Sequence, residues 1–109
     1  MADLPPILVL CRDLIFASKI TGTAQALHRP TRLLRDPALL GTTPGQRLIV
    51  DLTLAGALDA ATTWKTATGG AVIAFAPHVD AETIHAARAA GFEVLPRSEF
   101  SRRLPELLA

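Results

Sequence analysis

Hydrophobic residues in this chain gather in short unbroken runs instead of alternating with polar ones. Ile7-Leu8-Val9-Leu10, Leu48-Ile49-Val50 and Ala71-Val72-Ile73-Ala74-Phe75-Ala76 are the clearest, with weaker runs at 31–34 and 92–95. Continuous runs of this length read as strands buried on both faces, the mark of a parallel sheet. They predict strands over 7–10, 31–34, 47–52, 71–76 and 92–95. Between them the period lengthens. Phe16, Ile20, Ala24 and Leu27 fall on one helical face over 13–27, and Leu58, Ala61 and Trp64 on another over 56–66. Pro30 stops the first helix, and Asp36 and Gly41 bracket a turn at 37–40 that opens on Pro37. Asp80 is a good N-cap for a helix over 81–90, with Gly91 just past its end. Ser98 would cap a final helix, which Pro105 must kink or restart because it has no N–H.

Five strands alternating with five helices predict an α/β chain: a (βα)5 doubly wound, flavodoxin-like three-layer sandwich. Right-handed short crossovers give a parallel five-stranded sheet in the order 2-1-3-4-5. Residues 35–46 hold only a stunted second helix. Residues 1–109 read as one domain with no repeat and no linker. A chain of 109 residues buries roughly 65% of its unfolded surface.

Composition sharpens this. Half the residues are apolar, which excludes disorder, and the mean hydropathy of +0.33 leaves room for a partner surface. Eleven basic against ten acidic residues give a net charge of +1, so no bulk field draws in nucleic acid or anionic lipid. Arg29, Arg32 and Arg35 form the one basic cluster, without interleaved aromatics, and no nucleic-acid partner is expected. One cysteine excludes a disulfide framework. Met1-Ala2-Asp3-Leu4 lacks the basic start of a signal peptide and no run reaches membrane-spanning length, so a soluble cytoplasmic protein is expected.

Chemistry in such sheets collects at the carboxyl ends of the strands. The runs here end on Cys11-Arg12-Asp13, on Asp51, on Ala76-Pro77-His78 and on Pro96-Arg97-Ser98. With the Gly91-Phe92 turn, these places resemble the receiver domain of bacterial response regulators, CheY-like proteins of two-component signal transduction, over nearly the whole chain. The resemblance implies that Asp51 stands where the family accepts phosphate. It implies an acidic pair holding Mg²⁺ where this chain has Cys11-Arg12, with Asp13 one place further on. It puts the family's Ser/Thr on Ala76 and its Lys on Arg97; a second register lays Leu95-Pro96 on the Lys-Pro pair and removes the cation. The first register is preferred because it keeps a charge of the right sign.

Phosphoryl transfer to Asp51 would need its charge neutralised by Mg²⁺ and a fixed cation. Only Asp13 and Asp51 could supply carboxylates to the metal. A guanidinium at about 4 Å costs on the order of 4 kcal/mol per unit of like charge in an effective dielectric of about 20. Mg²⁺ is therefore expected to bind weakly or not at all, and no cofactor is expected. Arg12 and Arg97 on either side of Asp51 would neutralise it without metal. A methyl at Ala76 would leave no hydroxyl to follow a phosphoryl group.

Each residue also has a plainer role. Asp51 is a strand-end carboxylate, Asp13 the first-turn acid of its helix, Arg12 solvated, Cys11 a small buried hydrophobe and His78 a loop histidine near the site. His28 and His85 read as helix-surface residues, and Trp64, Phe16 and Phe75 as core. No glycine-rich phosphate loop or serine elbow occurs. The expectation is a stand-alone pseudo-receiver, a non-enzymatic protein-interaction module independent of phosphorylation. Phe100, Leu104, Leu107 and Leu108 are the candidates for a homodimer contact. Alternatives are a phosphorylatable single-domain response regulator, a small flavodoxin-like enzyme or ligand-binding protein using Cys11, His78 and Asp51, and a structural subunit of an assembly.

Overall fold

Apolar runs flanked by glycine and proline punctuation become strands because both of their faces are covered. The computed structural model describes residues 5–77 and 80–109. Strands β1 (Ile7–Leu10), β2 (Thr31–Leu34), β3 (Arg47–Asp51), β4 (Ala71–Ala76) and β5 (Glu93–Pro96) form one parallel sheet in the order β2-β1-β3-β4-β5. This is the doubly wound order expected from the sequence. Central β1 is buried at every residue, as a strand between two layers must be.

Helices α1 (Leu14–Ala26), α4 (Arg97–Arg102) and α5 (Leu104–Leu108) cover one face; α2 (Ala57–Thr68) and α3 (Ala81–Ala89) cover the other. Asp13 caps α1 by accepting the Phe16 N–H, and Asp80 caps α3 through the Thr83 N–H. Gly91 follows α3 with φ +91°, a backbone that a side chain would strain. The stunted element is a single 3-10 helix, Pro37–Thr42, capped by Asp36. Pro37, Gly41, Pro44 and Gly45 leave this stretch no room for an α-helix.

One helix boundary differs from the sequence reading, and one restart follows it. Ser98 lies inside α4, which starts directly on Arg97 after Pro96 and has no side-chain cap. Pro105 restarts the chain as α5, at the first turn where its missing N–H costs nothing. Leu27, placed on the buried face of α1, is 38% exposed, and Ala17 takes a core position with Ile20 and Ala24.

The core divides at the sheet. On the α1/α4/α5 side, Phe75 and Phe100 stack with centroids 4.5 Å apart, and Phe16 joins at 4.7 Å from Phe75. Phe100, Leu104, Leu107 and Leu108 all belong to this cluster and are buried, so these four cover the sheet instead of presenting an apolar contact to a second copy. On the other side Trp64 closes over Gly70, whose absent Cβ would sit 2.4 Å from the indole. No helix among the described residues is long and apolar enough to cross a membrane.

Candidate functional site

Strand alternation decides which residues meet at the carboxyl edge. Ile49 and Asp51 point to the α1 side of β3, and Cys11 follows β1 on that same side. Asp51 is the one charged residue buried within the described chain, 3% exposed. Its Oδ1 accepts the backbone N–H of Thr53 at 3.0 Å and the Thr53 hydroxyl at 2.7 Å. Side-chain closure of the following turn is what an Asp-x-Thr sequence favours, and it holds this oxygen in place.

The second oxygen, Oδ2, faces Arg97 Nη2 at 3.7 Å and the Cys11 thiol at 3.9 Å. Arg97 also reaches Asp13, whose Oδ2 lies 3.9 Å from Nη1, while Asp13 Oδ1 accepts the Phe16 N–H at 3.1 Å. One guanidinium thus spans both acids. It lies 5.1 Å from the Phe16 ring centroid and 5.8 Å from that of Phe75, a cation–π arrangement that fixes the plane of the group. Its Nε is shielded from solvent and has no hydrogen-bond partner among the described residues.

Cys11 is fully buried and its thiol donates to the Asp13 carbonyl at 3.6 Å. Burial, aided by the neighbouring Asp51 and Asp13 carboxylates, pushes the thiol up to about 11 against smaller opposing effects of the Asp13 backbone and Arg97. Such a thiol stays protonated and unreactive at neutral pH. Beside the cluster opens a hollow of about 720 Å³ lined by Phe16, Thr53, Pro77, Pro96, Arg97 and the two serines of α4.

The structure brings Cys11, Asp13, Asp51 and Arg97 together and leaves two other residues aside. Arg12 is exposed and forms no ion pair among the described residues, so the guanidinium pair expected around Asp51 is a single guanidinium. Ala76 packs on the α2/α3 side of β4, away from Asp51, and Pro77 lines the hollow in its stead. His78 lies outside the described residues. Thr53 was missed by sequence reasoning; the signal was present in the Asp51-Leu52-Thr53 spacing, which is that of a side-chain-closed turn.

No protein-family description matches this chain, and no curated protein matches it in sequence. Solved structures match it well in fold. A CheY-like response regulator receiver domain from Methanospirillum hungatei JF-1 has a TM-score of 0.78 at 12% identity, over 97% of this chain and 94% of its own. The BeF3-activated receiver domain of DrrB, from Thermotoga maritima, reaches 0.81 at 15% identity, over 97% and 95%. A de novo designed Rossmann 2x3 protein, with no source organism, scores 0.77 at 14% identity, over 96% and 90%. A design matches about as well as natural receivers do, so what is shared is the backbone: this chain has the receiver fold.

Proposed function

We propose that this chain is a receiver-fold signalling module that acts through protein contact, without turnover and without accepting phosphate on Asp51. The observation that carries this reading is the single Arg97 guanidinium standing before the second carboxylate oxygens of Asp13 and Asp51. Mg²⁺ requires near-octahedral oxygen ligation at about 2.0–2.1 Å and gives up its water reluctantly. Of the four carboxylate oxygens, one caps α1, one is closed by Thr53, and two face Arg97. That donor set does not fit the ion. Among the described residues, no three His, Cys, Asp or Glu side chains converge as a ligand group. At the end of β4, Ala76 and Pro77 bring no hydroxyl to follow a phosphoryl group.

In this reading Arg97 does permanently what metal and phosphate do transiently in a switching receiver, so the fold stays in one state. The test is incubation with Mg²⁺ and acetyl phosphate, followed by intact mass, alongside amide spectra with and without Mg²⁺ and beryllofluoride. An unchanged mass and unchanged spectra are expected. A stable acyl phosphate on Asp51 overturns the reading and makes the chain a phosphorylatable response regulator.

A further inference from the structure

The two edges of the sheet are finished differently. At β5, Arg88 Nη2 donates to the outward Val94 carbonyl at 3.4 Å, Glu93 pairs with Arg103 at 3.9 Å, and the strand ends on Pro96, which lacks an N–H. At β2, Pro30 O accepts the Ile7 N–H at 2.9 Å and Leu34 O accepts the Cys11 N–H at 3.0 Å. With Thr31 opposite Ile7 and Leu33 opposite Val9, Thr31 and Leu33 turn their N–H and C=O groups away from the sheet. Among the described residues nothing closes these four groups. Open edges of this kind are templates for another strand unless something blunts them.

What lines this edge is positive. Arg29, Arg32 and Arg35 are all exposed, and none forms an ion pair among the described residues. Arg32 lies on the Leu34 side of the strand, where only the 3-10 helix follows; Leu33, 38% exposed, lies on the α1 side. At the start of the edge a hollow of about 510 Å³ is lined by Gln25, His28, Arg29 and Thr31, with His28 held at φ +57°, a conformation rare outside glycine.

We propose that the β2 edge docks an extended acidic segment of a protein partner. The segment adds as a sixth strand on Thr31 and Leu33 and sets its carboxylates against Arg29, Arg32 and Arg35. Alternating acidic and apolar positions would serve the Arg32 and Leu33 faces in turn. A second copy of this chain is disfavoured, because two β2 edges would bring the same guanidinium groups against each other. Nucleic acid would answer the charge but not the four backbone groups. The proposal uses none of the Asp13, Asp51 or Arg97 contacts, so a phosphorylated Asp51 would leave it standing.

The probe is a capped peptide of alternating Glu and Val, titrated into the isotope-labelled protein, with a twin N-methylated at the amides that would face β2. The amide signals of Thr31 and Leu33 are expected to move most, and the N-methylated twin to bind roughly tenfold weaker or worse. The variant Arg32→Glu/Arg35→Glu should weaken the parent peptide by a similar factor while its melting temperature holds. The proposal fails if the twin binds as well as the parent, if the largest shifts lie elsewhere, if a DNA duplex competes equally, or if the parent peptide does not bind. The peptide comparison uses the unaltered protein, so it decides even if the double variant misfolds.

Discussion

The two faces of the sheet are built to different standards. Under α1, α4 and α5, three phenylalanines pack ring against ring, and the buried carboxylate and thiol sit at the end of that wall. Under α2 and α3 the core is mostly leucine, valine and alanine around Trp64 and Phe92, without a stack of aromatic rings, and between the 3-10 helix and α2 an open groove of about 710 Å³ runs past Leu40, Ala60, Trp64 and Ala67. The difference teaches where the chain needs rigidity. A desolvated charge is tolerable only where its partners are held still, and Arg97 is held by stacking on Phe16 and Phe75. The groove face holds no buried charge among the described residues, and there the chain dispenses with a full helix.

Removing the aromatic wall should cost most. Phe100→Ala is expected to lower stability by about 3–5 kcal/mol, against about 2–3 kcal/mol for Leu40→Ala beside the groove. Urea denaturation of the two variants decides it, and equal losses would break the contrast. Next comes the charge. Arg97→Ala leaves Asp51 buried beside no cation and should cost about 1–2 kcal/mol, reduced from a fully buried pair because Arg97 is half exposed. Arg97→Lys restores the charge without the stacking and should recover part of the loss in the same denaturation series.

Cys11 sharpens the comparison through pH. Its thiol ionises near 9.0 in the unfolded chain and at about 11 when folded, so the folded state favours the neutral form. Stability from this group is intact below pH 9 and lost progressively as pH rises toward 11. Thermal melts across that range should fall for the native protein more than for Cys11→Ala, and iodoacetamide should label the folded thiol only slowly at pH 8. The smallest effect is expected at Arg12. Arg12→Ala should stay within about 0.5 kcal/mol of the parent, which sets it apart from Arg97 by melting temperature alone.

Most of the scaffold was legible because its signals are local. Strand runs, the Asp80 cap and the Gly91 turn each depend on a few neighbouring residues, and the strand order follows from the alternation of elements. The site was legible only in part, since strand parity and helix start decide which way a side chain leaves the backbone. Arg12 and Asp13 are adjacent in sequence, yet one faces solvent and the other caps α1 toward the cluster. Ala76 and Pro77 exchange places for the same reason. Arg97 reaches Asp51 because α4 begins directly on it, a boundary that Ser98 disguised by resembling a cap.

Trp64 over Gly70 has a spectroscopic consequence. The chain contains one tryptophan and no tyrosine, so its near-ultraviolet emission comes from a single indole at the corner where α2 meets β4. A ligand entering the groove would shift that emission. Chemistry at the Asp51 end or an added strand at β2 would leave it unchanged, so fluorescence separates events in the groove from those on the other two surfaces.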